Sequence, residues 1–212
     1  MKIKAFVFNP FYENTYIITD ESNECLIIDP GCYEKHEIEE VKSYIAENKL
    51  IVKAIVNTHC HVDHVLGNYA LKDYFKCPLW IPEGEVEIYK AVEVYAAQYG
   101  ITNFTWVAAD QLLGKSGKLD FGKTSLDILF VPGHSPGHLM FYHKPSNEII
   151  GGDVLFRQSI GRTDLPGGNH EQLLNNIRKE LYVLKDETTV YPGHGPKTTI
   201  GFEKENNPFI KA

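Results

Sequence analysis

One short stretch limits the folds open to this chain more than any other. Thr58-His59-Cys60-His61-Val62-Asp63-His64 follows almost directly on the run Ile51-Val52-Lys53-Ala54-Ile55-Val56. That run reads as a β-strand from its β-branched and apolar content. A strand that ends in a tight loop aims the loop's side chains at one point beyond the sheet edge. A polar loop with chance histidines is the bland alternative, but H-x-H-x-D-H after a strand has few such explanations. Imidazole nitrogen and carboxylate oxygen suit Zn, Fe or Mn. His59 and His61, alternating, can face one ion, while Asp63 and His64 can face a second. The stretch implies a metal site, with room for two ions.

The rest of the composition is that of an ordinary globular protein. Of 212 residues, 43% are hydrophobic and 23% charged, enough for a sizeable core. The formal net charge of −7 argues against a nucleic-acid binder, which would present a basic face. It leaves room for an anionic small substrate, because bound divalent cations make a site locally positive. Met1 to Pro10 reads as a strand rather than a signal peptide, and no later segment is apolar enough to cross a membrane. The expected location is the cytoplasm. Cys25, Cys32, Cys60 and Cys77 form no C-x-x-C pair and are expected as free thiols, with Cys60 a small filler of the His-rich loop.

In chain order, Lys2 to Phe8, Thr15 to Thr19 and Glu24 to Asp29 read as strands separated by turn-forming residues. Asp29 ends the third, just before Pro30-Gly31. It either caps that turn or orients a metal-binding histidine through the ring nitrogen that faces away from the metal. Glu34 to Asn48 has Ile38, Val41 and Ile45 on one helical face. A helix to Phe75 and a strand at Pro78 to Ile81 complete a β-α-β pattern, so a sheet with helices against it is expected, an α/β class. Glu85 to Tyr99 is expected to be helical with its tyrosines packed inward, while residues 100–119 carry no clear period.

Farther on, strands are expected at Ser125 to Val131, Leu139 to Tyr142, Glu148 to Asp153 and Thr188 to Tyr191, and a helix at Glu171 to Leu184. Three of these strands run into Pro132-Gly133-His134, Gly151-Gly152-Asp153 and Pro192-Gly193-His194. Pro-Gly alone is a common turn. A potential ligand beside glycine at one strand end after another is a pattern, because glycine lets the backbone turn sharply and come close. His138 reads as structural, and His36, His143 and His170 as solvated.

The set T-H-x-H-x-D-H, P-G-H-S-P-G-H, G-G-D-x-L-F and P-G-H-G resembles the metallo-β-lactamase-fold hydrolases. Within them it is most similar to the short bacterial hydroxyacylglutathione hydrolases of the glyoxalase II branch. The resemblance runs from the first strands to about Pro208 and implies one domain, a four-layer αββα sandwich, without the C-terminal helical domain that supplies much of the glutathione site in longer members. It implies His59, His61 and His134 as ligands of one metal, Asp63, His64 and His194 as ligands of a second, and Asp153 as the bridge. The two ions are expected to be Zn²⁺, with Fe or Mn as alternatives, and Asp63 and Asp153 are the carboxylates carried over as catalytic.

A water held between two such cations loses a proton near neutral pH, and the hydroxide attacks a carbonyl carbon whose oxyanion a metal stabilises. A thiol, with a pKa of roughly 8.5, leaves without a strong acid to protonate it. No dedicated acid is readable here, which favours a thioester substrate such as S-lactoylglutathione. Arg162, in Gly161-Arg162-Thr163-Asp164, is the candidate substrate contact, since a guanidinium clamps a carboxylate through two hydrogen bonds. The alternative is a pair with Asp164 that only shapes the loop. Two other readings of the same fold stay open. One is a mononuclear-iron persulfide dioxygenase, which shares the G-R-T-D loop, and the other is a lactonase.

Overall fold

The computed structural model describes residues 1–211. The N-terminal third is a ladder of strands. β1 (Lys2–Phe8), β2 (Glu13–Thr19) and β3 (Glu24–Ile28) pair antiparallel in sequence order. After α1 (Lys35–Glu47), β4 (Ile51–Val56) pairs parallel to β3 with Ile28 opposite Val56. The chain continues through α2 (Val62–Val65), α3 (Asn68–Phe75) and β5 (Leu79–Pro82), then a 3₁₀ turn at Glu83–Glu85, α4 (Val86–Tyr95) and β6 (Gln111–Leu113). The result is a six-stranded sheet in the order β1-β2-β3-β4-β5-β6. Ile17, Ile27, Val41, Ile55, Leu71, Leu79 and Tyr89 fill its core.

A second six-stranded sheet has the order β14-β13-β10-β9-β8-β7. Its strands are β7 (Lys118–Phe121), β8 (Thr124–Phe130), β9 (Leu139–His143), β10 (Glu148–Gly152), β13 (Thr189–Pro192) and β14 (Thr198–Thr199). A separate two-stranded hairpin, β11 (Leu155–Phe156) with β12 (Ser159–Ile160), follows β10. The helices are α5 (His170–Asn176), which runs on into a π-helical turn at Ile177–Leu181, and α6 (Ile200–Asn206). Met140, Ile149, Leu173, Ile177, Leu181 and Val190 form this core.

By packing, the residues divide into two units, Met1–Leu113 with Asp120–Thr124, and Gly114–Leu119 with the chain from Ser125 on. Two mixed sheets, each with its own helices, are the components of an αββα sandwich, and the class is α/β as expected. No helix among the described residues is long and apolar enough to cross a membrane. The expected helix at Glu85 to Tyr99 is α4 followed by a 3₁₀ turn, Ala96–Tyr99. The periodless stretch 100–119 contains the short β6 and the start of β7.

Strand direction decides where the polar strand ends fall. β3 and β4 are parallel, so the residues after Ile28 and Val56 leave one edge of the first sheet. In the second, β10 is parallel to β13, and β9 is antiparallel to both β8 and β10. β8, β10 and β13 therefore run the same way, and the residues after each emerge on one edge.

Glu37 ties the first of these edges to α1. Its Oε1 accepts the Asn9 N–H at 2.8 Å, and its Oε2 accepts the N–H groups of Tyr33 and Glu34 at 2.7 and 2.9 Å. Glu37→Ala leaves all three donors without that acceptor. The expected loss is about 3 kcal/mol, read by urea unfolding followed by circular dichroism. A loss below about 0.5 kcal/mol, the ordinary surface range, would mean that water replaces the carboxylate.

Candidate metal centre

In the first unit, the parallel ends of β3 and β4 bring Asp29 against Thr58. Asp29 has a left-handed backbone, with φ 48°, and its N–H donates to the Val56 carbonyl at 3.0 Å. Its Oδ1 accepts the Thr58 N–H at 2.7 Å, and its Oδ2 accepts the Thr58 hydroxyl at 2.6 Å. The same Oδ2 stands 3.2 Å from Nδ1 of His64. The Thr58 oxygen also lies 3.1 Å from Nδ1 of His59. Since the hydroxyl proton goes to Asp29, that oxygen accepts from the His59 Nδ1–H. Nδ1 of His59 is thus held by oxygen, which is how metal-binding histidines are usually oriented, and Nδ1 of His64 lies close to the carboxylate behind it. On its other side, His64 Nε2 is 3.7 Å from Asp63 Oδ2. The His59 ring packs against those of His61 and His64, at centroid distances of 4.8 and 4.1 Å. Donor atoms of Asp29, His59 and His64 lie within 4.8 Å of one another, and all three residues are buried. With its oxygens committed to Thr58, Asp29 stands where an orienting carboxylate would.

The loop backbone is pinned as well. Asn9 Nδ2 donates to the carbonyls of Gly31 and Asp63, each at 3.0 Å. Asn57 Nδ2 donates to the His64 carbonyl at 2.9 Å, and Asn68 Nδ2 donates to Asn57 Oδ1 at 2.9 Å. Two buried acids in this region carried no sequence signal. Glu13 accepts from the Thr15 hydroxyl at 2.8 Å, and burial pushes its carboxyl well above the usual range. Glu85 Oε2 accepts the N–H of Cys60, the residue between His59 and His61, at 3.0 Å. A glutamate after a strand reads as a solvated charge, so only a burial pattern specific to the 3₁₀ turn would have singled it out. Cys60 is a buried free thiol as expected, its pKa pushed up by burial.

In the second unit, Gly133 turns the chain after β8 with φ 138°, and a Cβ there would lie 2.5 Å from Leu173 Cα. His134, next in sequence, places Nδ1 2.7 Å from the Arg162 carbonyl. A carbonyl only accepts, so Nδ1 carries the proton. His134 Nε2 is then 3.6 Å from Asp153 Oδ2, and His194 Nε2 is 3.5 Å from the same oxygen. Two ligands at about 2.1 Å from one tetrahedral ion are about 3.4 Å apart. The donor atoms are therefore spaced for shared ions rather than for direct hydrogen bonds, and the set fits divalent metal. His138 has the structural part expected of it, since its Nε2 accepts the Asp153 N–H at 3.0 Å.

Other expectations divide. Arg162 forms the bidentate pair with Asp164, at 2.8 and 2.7 Å, and this holds the Asp164 carboxyl down at about 2. Tyr89 packs inward, whereas Tyr99 is 47% exposed and meets Phe11 and Tyr95 edge-on. Tyr142 is in the core, and Phe156, half-buried, turns its ring edge to His194. His36 and His170 are exposed, but His143 is buried and not solvated. It is the last residue of β9, with Nδ1 2.6 Å from the Ser146 hydroxyl, and burial lowers its pKa.

Residues 8–194 match the family model of the metallo-beta-lactamase superfamily. The chain belongs to this superfamily. It is 37% identical to a probable metallo-hydrolase, YqgX, of Bacillus subtilis, over 99% of this chain and 98% of that one. It is 35% identical to the hydroxyacylglutathione hydrolase GloC of Haemophilus influenzae, over 100% and 99%. Among solved structures, the protein TTHA1623 in a di-iron-bound form superposes with a TM-score of 0.87 at 33% identity, covering 98% of this chain and all of the other.

Glu85 supplies the test of the loop. Glu85→Ala removes the acceptor for the Cys60 N–H between two candidate ligands, and apparent metal affinity should fall about 10- to 100-fold, the usual effect of losing a ligand's supporting partner. Glu85→Gln keeps an oxygen at that place and should lose less. Titration with Zn²⁺ against a chromophoric chelator reads both, and equal affinities in the two variants and the parent would remove Glu85 from the site.

Proposed function

We propose that the chain is a dinuclear metal-dependent hydrolase that cleaves thioesters, with S-lactoylglutathione as the representative substrate. His59, His61 and His134 take one ion, Asp63, His64 and His194 the other, and Asp153 is shared. The observation that carries this reading is the single oxygen of Asp153, 3.6 and 3.5 Å from Nε2 of His134 and His194. One carboxylate oxygen facing two imidazoles at ligand-to-ligand spacing is what a bridging carboxylate requires. The full-length similarity to a hydroxyacylglutathione hydrolase supports the substrate class.

Bound divalent ions supply an acidified water and polarise a carbonyl oxygen. The chain's own residues do the rest. Asp29, through Thr58, holds the tautomer of His59, so its Nε2 needs no reorganisation to serve as a donor, and the same carboxylate lies 3.2 Å from Nδ1 of His64. The Arg162 carbonyl holds the tautomer of His134. A thiolate leaving group, whose conjugate thiol has a pKa of about 8.5, needs no proton donor from the protein. Arg162 recognises the substrate's carboxylate by exchanging Asp164 for it.

Metal content of protein purified without added metal, with S-lactoylglutathione hydrolysis and O₂ uptake on glutathione persulfide from one preparation, tests the reading. Two ions per chain with hydrolysis lost on chelation is expected, and Asp153→Asn should lower the rate at least about 100-fold, as losses around metal ligands do. One iron with O₂ consumption would overturn it in favour of a dioxygenase.

For Arg162, replacement by Ala should raise KM for the anionic thioester about tenfold with kcat little changed, the signature of lost uniform binding. An unchanged KM would leave Arg162 with the loop alone.

A further inference from the structure

Glu203 of α6 is a fully buried carboxylate to which the metal chemistry assigns no part. Its Oε1 accepts the Thr198 hydroxyl, while its Oε2 accepts the Gln158 N–H at 2.9 Å and Asn207 Nδ2 at 2.8 Å. Asn207 Nδ2 also donates to the Ser159 carbonyl at 3.0 Å. Gln158 lies in the two-residue turn of the β11–β12 hairpin and Ser159 opens β12, and Gln158 holds φ 58°, a left-handed conformation that a side chain with a Cβ seldom adopts. A residue keeps such a conformation where its surroundings over-determine it. Here the surroundings are α6 and the residues just after it. The Arg157 guanidinium also lies over the Phe202 ring at 4.1 Å, and the Ile210 carbonyl accepts the Tyr182 hydroxyl at 3.2 Å.

The hairpin so gripped joins two parts of the metal centre. Asp153 lies just before it, with only Val154 between, and Gly161-Arg162 lies just after it. The Gly161 N–H closes the hairpin's base on the Val154 carbonyl at 3.1 Å, and a Cβ on Gly161 would run into the Asp153 carbonyl. The next carbonyl, that of Arg162, takes the His134 Nδ1 proton. A shift of the hairpin therefore moves the acceptor that fixes His134 and the backbone that carries Asp153.

We propose that Glu203 and Asn207 are positioning residues for the metal centre. Their clamp on the β11–β12 hairpin sets the Arg162 carbonyl against His134 and holds Asp153 in register with His134 and His194. The metal part of this inference rests on the dinuclear reading above, but the clamp itself does not. A purely structural role would lower global stability without touching the hairpin selectively.

Hydrogen exchange on the metal-free protein separates the two roles. Parent, Glu203→Ala, Glu203→Gln and Leu126→Ala are compared, the last destabilising the buried face of β8 at a distance in sequence from the hairpin. In Glu203→Ala, amides of residues 155–163 should exchange at least about tenfold faster, while those of β9 stay as in the parent. Zn²⁺ affinity should fall about 10- to 100-fold, with Glu203→Gln between Ala and the parent. Leu126→Ala should lower Tm yet keep parental hairpin exchange and affinity. Parental hairpin exchange in Glu203→Ala, or an equal loss of affinity in Leu126→Ala, overturns the proposal. If the parent takes up no metal, the dinuclear reading falls, and the exchange rates alone decide for or against the clamp.

Discussion

A buried polar group costs several kcal/mol unless it is hydrogen-bonded, and in the first unit Glu13, Asp29, His59, His64 and Glu85 are all buried. Every one of them needs a partner that the fold must deliver. The parallel pairing of β3 with β4 is what makes this possible, because it ends both strands at one edge and sets Asp29 beside Thr58. From that contact follow the proton on His59 Nδ1 and the approach to His64 Nδ1. A parallel pair also requires a crossover, which α1 provides, and α1 in turn is fastened by Glu37 to the turn that follows β1. The imidazole loop and the topology of its sheet are thus one requirement seen at two scales.

The second unit meets the same requirement by other means. His134 and His138 take their partners from backbone, the Arg162 carbonyl and the Asp153 N–H. A side-chain partner such as Asp29 is fixed by its own strand. A backbone partner on a loop is only as fixed as the loop, which is why the six residues between Val154 and Gly161 matter, and why a buried glutamate some forty positions later bears on them. Local stability differs across a fold, and a ligand oriented by a loop inherits the stability of whatever grips that loop.

What was legible in the sequence follows from these differences. The strand-end candidate ligands stand out because β-type runs stop at glycine, histidine or aspartate, and direction in the sheet then brings those ends to one edge. Asp29 was readable as a turn residue or an orienting carboxylate. Thr58 is 29 residues away, so only the parallel pairing shows that Asp29 reaches it. Glu85 and Glu203 were invisible, since a glutamate at the start or on the face of a helical run looks like any solvated charge until its burial is known. β6 and β14, at three and two residues, are too short to show a period. His143 misled for a related reason. It is followed by Lys144-Pro145-Ser146 and looks like part of a turn, yet it pairs with Glu148 in the ladder and is buried there.

Metal binding and substrate recognition differ in how much they demand of a sequence. A cation needs particular donor atoms at particular spacings, and those atoms come from few residue types. The proposed recognition of an anionic thioester needs only a cation within reach, and the proposed cation, Arg162, is already engaged. Arg162 holds Asp164 in a two-point pair exposed to solvent. A substrate carboxylate that takes the place of Asp164 exchanges one guanidinium–carboxylate contact for another of the same kind. The net gain is what the substrate carboxylate offers beyond Asp164, and a tenfold change in KM puts it at about 1.4 kcal/mol. On the proposed reading, further selectivity among thioesters comes from shape and from the apolar surface that the acyl or thiol group meets, and neither leaves a motif.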